Sequence, residues 1–250
     1  MANVVTIRKR PPVLRRPVLI AAFQGWNDAG EAASGAVEVL AAETDAEGFA
    51  EIDPEDFFDF QATRPHVRNA GEGRRRIEWP GNLFSWSAVP GIERDLVVLQ
   101  GTEPNLRWRT FTAAVTHLAQ DLGVELVVTL GALQVDAAHT RPVPVTGTTT
   151  DLVLGAQLGL RPTRYEGPTG ITGVLHHTCT EAGMQSTSLW AGVPHYLAGA
   201  SYLAGTLALA ERVVELLGAK VSLDSLAADA ATQRDELSDL KRTEVDEHLR

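Results

Sequence analysis

Four short segments of the chain gather the side chains that could do chemistry. Gln24 to Gly30 carries Asn27 and Asp28, and Gly101 to Trp108 carries Glu103, Asn105 and Arg107, with Arg109 just beyond. Ala132 to Arg141 carries Asp136, His139 and Arg141, and Val193 to Tyr196 carries His195 and Tyr196. Carboxylates, guanidinium groups and imidazoles brought to one place would form a polar pocket for an anionic or nucleoside-like small molecule. The competing reading is that polar loops pair their own charges. Arg107 and Arg141 would then lie within reach of Asp28 or Glu103, and the cluster would be a rigid plug with no room for a ligand. The plug is favoured, because no nucleophile with a general base is visible beside these groups.

More specific chemistries find little support. A nucleophilic serine would want Gly-x-Ser-x-Gly after a strand, but Ser34 sits in Ala-Ser-Gly inside a predicted helix and reads as a packing residue. His176 and Cys179 share a helical face, as a Cys–His pair would. A buried thiol beside a capped histidine is the commoner arrangement. Adjacent His176 and His177 point in different directions on a helix, and no His-Glu-x-x-His pattern exists, so no metal is expected. Gly167-Pro168-Thr169-Gly170-Ile171-Thr172-Gly173 opens a helix, where backbone amides could hold an anion. It lacks the Gly-Lys-Ser/Thr of a P-loop and reads as turn and cap; no cofactor is expected.

Those segments need strands to carry them. PVLIAAF (17–23), DLVVLQG (95–101), VELVVTLGAL (124–133) and STSLWAGVP (186–194) are apolar runs of the kind covered on both faces of a sheet. Each is followed by one of the polar segments. Asp28 with Glu31 three residues on reads as a capping box for a helix through Val37, Val39 and Leu40. Gly25 or Gly30 is expected to take a backbone conformation awkward for other residues. Further helices run through Phe111, Val115, Leu118 and Leu122 up to Gly123, through GPTGITGVLHHTCTEAG up to Gly183, and through SYLAGTLALAERVVELLG; VPVTG (143–147) reads as a strand. Strands alternating with helices imply a three-layer α/β/α architecture with a largely parallel sheet. Trp26 and Trp108 in loops after strands are expected to be buried and to lock those loops. Trp79, Trp86 and Trp190 fall on strands and are expected in the core or an interface.

Two regions depart from this rhythm. Within residues 51–94, DFFDFQAT (56–63), RRRIEWP (74–80) and LFSWSAV (83–89) read as antiparallel strands, either at a sheet edge or forming a small subdomain, with NAGEG as a hairpin loop. Arg74, Arg75 and Arg76 then fall on alternating faces and make no single basic patch. The apolar surface between residues 57 and 89 exceeds what an edge strand needs, so self-association is expected, as a trimer. From Val221, a sparse stripe of Leu223, Leu226, Ala230, Leu237, Leu240, Val245 and Leu249 gives a charged surface helix. The expected division is a core domain over 1–217 and a helical extension over 218–250.

Composition narrows the classes. A net charge of −10 argues against a general nucleic-acid binder. A single cysteine, Cys179, excludes an internal disulfide and fits a reducing cytoplasm. The leading Arg8, Lys9, Arg10, Arg15 and Arg16 come without an apolar stretch long enough for a signal peptide and read as a solvated lead-in to the first strand. No segment reaches the roughly 18 apolar residues of a membrane span.

Gly25-Trp26-Asn27-Asp28-Ala29-Gly30, Glu103-Pro104-Asn105-Leu106-Arg107-Trp108, Gly131-Ala132-Leu133 with His139-Thr140-Arg141-Pro142, Tyr165-Glu166-Gly167-Pro168-Thr169-Gly170, and Ser188-Leu189-Trp190 with Val193-Pro194-His195-Tyr196 together resemble the proteasome-assembly-chaperone family in its actinobacterial-type branch. The set spans roughly residues 17 to 217, and the acidic C-terminal helix resembles the family as well. The resemblance implies a core similar to the phosphorylase/hydrolase-like fold, self-association, and a non-catalytic assembly-chaperone or scaffold role with proteasome subunits as partners. A small-molecule binder or hydrolase is the alternative, on the polar groups at the strand ends. Docking members of the family use a C-terminal hydrophobic-Tyr-any tail. This chain ends His248-Leu249-Arg250, so docking by that mode is not expected.

Overall fold

The computed structural model describes residues 4–71, 73–89, 91–160, 165–197 and 199–248, with side chains described as far as Leu240. Leu249, Arg250 and the side chain of Val245 lie outside the described residues. In chain order the elements are β1 (Val5–Ile7), β2 (Val18–Gln24), α1 (Ala32–Glu43), β3 (Glu47–Ile52), β4 (His66–Asn69), β5 (Arg75–Glu78), β6 (Asn82–Ala88) and β7 (Asp95–Thr102). There follow α2 (Trp108–Asp121), β8 (Leu126–Val135), β9 (Val145–Thr149), α3 (Leu152–Gln157), α4 (Ile171–Glu181), β10 (Gln185–Pro194), α5 (Leu203–Leu217) and α6 (Asp224–His248).

Eight strands form one sheet in the order β1-β3-β6-β7-β2-β8-β10-β9. The four central strands, β7, β2, β8 and β10, run parallel. Antiparallel strands extend the sheet on both sides.

The period-two alternation of β2 shows why the sheet is a middle layer. Val18, Ile20 and Ala22 pack with Val37 of α1 and Leu209 and Val213 of α5. Leu19, Ala21 and Phe23 pack with Phe111 and Val115 of α2 and Ile171 and Leu175 of α4. Successive side chains of a strand point to opposite faces, so an unbroken apolar run requires a helical layer on each side. The architecture is α/β/α.

One expectation needs correction. Residues 57–63 are turns, not a strand: a short 3-10 turn at Pro54, capped by the Asp53 carboxylate on Glu55 N (3.0 Å), puts Phe57 and Phe58 side by side into the core. Clustered aromatics there signalled burial without alternation. RRRIEWP contains β5, which pairs antiparallel with β4 as a separate two-stranded ribbon whose residues are all exposed, the second of the two placements expected. LFSWSAV contributes β6 to the main sheet.

The leading basic residues are anchored to the body. Arg8 pairs with Glu51 (2.6 Å), Arg16 with Glu125 (3.2 Å), and Arg15 with Asp95 (2.7 Å). Asp95 is buried and also accepts from Arg15 N at 2.7 Å, so this pair is held more firmly than the exposed ones. At the other end of the chain, α6 lays Leu226 and Ala230 into the core. Gln233 bonds Leu203 N (2.9 Å) and Ser201 O (2.8 Å) at the start of α5.

Candidate functional site

Because β2, β7, β8 and β10 are parallel, the loops after them meet at one edge of the sheet, the place where open α/β sheets hold ligands. Glu103 is the centre of a polar knot there. Its backbone N–H donates to Gln24 O (2.8 Å), and its carboxylate accepts from Asn27 Nδ2 (2.7 Å), Ile171 N (2.9 Å) and Trp26 N (3.2 Å). Ile171 opens α4, so the positive end of that helix, where backbone amides could hold an anion, is already met by Glu103, in line with the turn-and-cap reading of this segment. The Gly25 backbone lies against this carboxylate at φ 135°, and a Cβ there would stand 3.1 Å from Glu103 Cβ. Gly30, at φ 62°, also occupies the left-handed region, so both candidate glycines are used.

Asp28 caps α1 as expected, but not through a capping box. Its Oδ1 accepts from Ala33 N (2.8 Å) and Ser34 N (3.2 Å), and its Oδ2 from Ser34 Oγ (2.5 Å). Ser34 is therefore a bonding partner rather than a packing residue. Glu31 sits at φ 51° and takes its hydrogen bond from Ser201 Oγ. Burial raises the Asp28 carboxyl above its ordinary range, and the bonds from Ser34 and Ala33 offset this only in part.

The folded state thus holds the Asp28 proton more tightly than the unfolded chain does, and its ionisation removes stability as pH rises through the folded value. Asp28→Asn keeps an acceptor for the helix amides. It is expected to gain stability relative to the wild type between about pH 4 and pH 7, measured by urea unfolding at both. Asp28→Ala loses the cap and should cost about 1–2 kcal/mol at pH 7. An Asn variant that loses ground as pH rises would contradict the sign.

The remaining candidates are distributed differently. Arg107 pairs with Asp56 (2.7 Å) and stands over the Phe57 ring at 5.9 Å, away from both Asp28 and Glu103. Arg141 is exposed on a turn closed by its own N–H to Ala138 O (3.0 Å), and it too pairs with neither carboxylate. The charge pairing expected of a plug is therefore absent; backbone amides and an asparagine take the place of the guanidiniums. His139 is buried in a second cluster, where Tyr196 Oη lies 2.9 Å from its Nδ1 and accepts from its backbone N–H at 2.9 Å, and Ser238 Oγ lies 3.1 Å from Nε2. That cluster ties α6 to the loop after β8. His195 is exposed, with its ring edge-on to Tyr196 at 5.4 Å. The structure brings Asn27, Asp28 and Glu103 together, places His139 and His195 beside Tyr196, and leaves Arg107 and Arg141 apart.

Beside the knot opens a cleft of about 1230 Å³, bounded by the loop after β2, by β8, β9 and β10, and by residues 165–176. Of Asn27, Asp28, Glu103, Arg107, His139, Arg141 and His195, Asp28 alone lines it. The other lining groups include Trp26, Thr146, Thr148, His176, Ser188 and Trp190. Trp26, expected to be buried, is 67% exposed at the mouth, whereas Trp108 does lock its loop through Nε1 to Pro104 O (2.5 Å). His176 bonds Ser186 Oγ through Nδ1 (2.7 Å) and reaches Thr148 Oγ1 through Nε2 at 3.4 Å, and it makes no pair with Cys179. Burial lowers the pKa of His176 and raises that of the Cys179 thiol, so at neutral pH the first is an uncharged imidazole and the second is no thiolate. No local signal in the sequence marks this cleft, because its hydroxyl residues come together only through the pairing of β9 with β10.

The profile of the PAC2 family matches residues 22–241. A PAC2 family protein from Streptomyces avermitilis is 47% identical over 94% of this chain and all of its own, with a TM-score of 0.85. A proteasome-assembly chaperone homologue from Mycobacterium tuberculosis is 44% identical over 89% of this chain and 94% of its own, with a TM-score of 0.83. An archaeal proteasome activator from Pyrococcus furiosus shares the fold at 20% identity, over 95% and 98% of the two chains, with a TM-score of 0.76. Among curated proteins no sequence matches this chain.

Proposed function

Because the chain belongs to the PAC2 family, we propose that it is a non-catalytic assembly chaperone or scaffold of the cytoplasm, whose partners are proteasome subunits and further copies of itself. One observation carries the non-catalytic part. The polar groups at the strand ends, where an α/β enzyme keeps its reactive side chains, are spent on holding loops together: Glu103 on Asn27 and two backbone amides, Asp28 on α1. A carboxylate with three donors already in place has little left to offer a substrate. The 44% identical homologue of a proteasome-assembly chaperone supports the choice of partner. The exposed β4–β5 ribbon and the residue just past it, with Val67, Ile77 and Trp79 each about half exposed, support self-association, for which a trimer is the preferred state.

The test mixes the purified chain with the core-particle α- and β-subunits of its own cell and follows assembly by native gel and light scattering. The chain alone should scatter as a trimer, form a complex with α-subunits, and change the rate at which full particles appear. A monomer that neither co-migrates with any subunit nor alters that rate would remove the proposal.

A further inference from the structure

We propose that the cleft over β8, β10 and β9 binds an uncharged ring that carries hydroxyls and one apolar face, the chemistry shared by pyranose sugars and nucleosides. This inference is independent of the proteasome reading. The sheet register builds the floor. Ser188 of β10 lies opposite Thr148 of β9, and Trp190 lies opposite Thr146 on that side and Gly131 on the other. Directly opposed residues share a face, so hydroxyls and an indole stand in adjacent rows. The indole has a prepared seat: a Cβ at position 131 would fall 2.5 Å from its ring, and its Nε1 donates to Ser188 Oγ at 2.9 Å. An indole held this way presents an apolar face of the kind on which sugar and base rings stack. Trp26 adds a second, exposed indole at the mouth.

Hydrogen-bonding capacity is left over beside it. His176 is oriented from behind by Ser186, while its Nε2 meets Thr148 Oγ1 at 3.4 Å. That is longer than the usual 2.7–3.2 Å bond to nitrogen, so a ligand hydroxyl can compete for either atom. The described lining offers an anion no cationic side chain. Among the described residues that line it, Asp28 alone carries a charge, and both of its oxygens are taken by α1. The α4 N-terminus, the other place for an anion, is filled by Glu103. The volume exceeds the roughly 300–1,000 Å³ of a drug-sized site, which leaves room for two rings with water.

The experiment is isothermal calorimetry on the full chain, with tryptophan fluorescence alongside, in two arms. One arm uses glucose, maltose and trehalose; the other uses adenosine and uridine; glucose 6-phosphate and AMP serve as charged counterparts. One arm is expected to bind with a Kd of about 1 mM or tighter. Thr148→Val and Trp26→Ala should each weaken it by about tenfold, the worth of one hydrogen bond or one stacked ring. Trp26 is exposed, so its replacement leaves the core intact. The phosphorylated counterpart should bind no better than its neutral parent. Silence in both arms at about 10 mM, binding that ignores both substitutions, or tighter binding of the phosphate would each overturn the proposal.

Discussion

Replacing Glu103 with Ala is expected to remove about 2–5 kcal/mol of folding stability. The carboxylate is the common acceptor of three donors from two separate stretches of chain, and two of those donors, Asn27 Nδ2 and Ile171 N, belong to fully buried residues. Deleting an acceptor so that buried donors go unpaired costs about 1–3 kcal/mol for each. Urea unfolding monitored by far-UV circular dichroism gives the loss. Glu103→Gln should fall between, since one oxygen remains to accept while the amide nitrogen turns a donor towards other donors. A loss below about 1 kcal/mol for the Ala variant would mean that the loops after β2 and β7 and the start of α4 hold their positions without the knot. The case for a structural rather than a ligand-binding role of these groups would then weaken.

The ease with which this site could be read from the sequence varied with the range of the interaction involved. PVLIAAF, DLVVLQG, VELVVTLGAL and STSLWAGVP announce buried strands by local composition alone, and β2, β7, β8 and β10 follow them closely. Parallel strands separated by helices then place the four loops at one edge by chain connectivity, without any knowledge of side-chain contacts. Partner choice was not legible. Arg107 was expected to reach Glu103, four residues away, but Arg107 takes a left-handed conformation (φ 55°) just before α2 and turns its side chain to Asp56. Nothing in the sequence marks that turn. The floor of the cleft was hidden for a related reason: Thr148 and Ser188 are 40 residues apart and become neighbours only once β9 is known to pair with β10. The short antiparallel strands β1 and β3 carry weak local signals, since their register is set by the strands they join. Clustered aromatics in DFFDFQAT suggested a strand because residue type was weighed above spacing. Phe57 and Phe58 are both buried, but their backbone N–H groups donate to Pro54 O (3.0 and 3.1 Å) and close a turn, so they are not available to a neighbouring strand.

Phe111→Ala should cost about 3–5 kcal/mol and lower Tm by roughly 10 °C for a chain of this size. Phe111 is fully buried in the layer between the sheet and α2, and its ring meets two others edge-on, Phe23 of β2 at 5.8 Å and Phe57 at 5.5 Å. Truncation removes the transfer free energy of the ring, leaves a cavity, and ends both aromatic contacts, each worth about 0.5–1.5 kcal/mol beyond its area. The consequence reaches the site through the backbone. Phe57 O accepts from Asn105 N (2.9 Å) and Leu106 N (3.0 Å), so the ring that packs on Phe111 also holds the loop that carries Glu103. If packing of that loop depends on Phe111, Phe111→Ala and Glu103→Ala will be less than additive in the double variant, because the first has already loosened what the second would break. Phe111→Leu, which refills much of the volume, should lose less in both respects. Strict additivity of the two Ala substitutions would show that the core and the polar knot are energetically separate, and that the loop after β7 is held from the sheet edge alone.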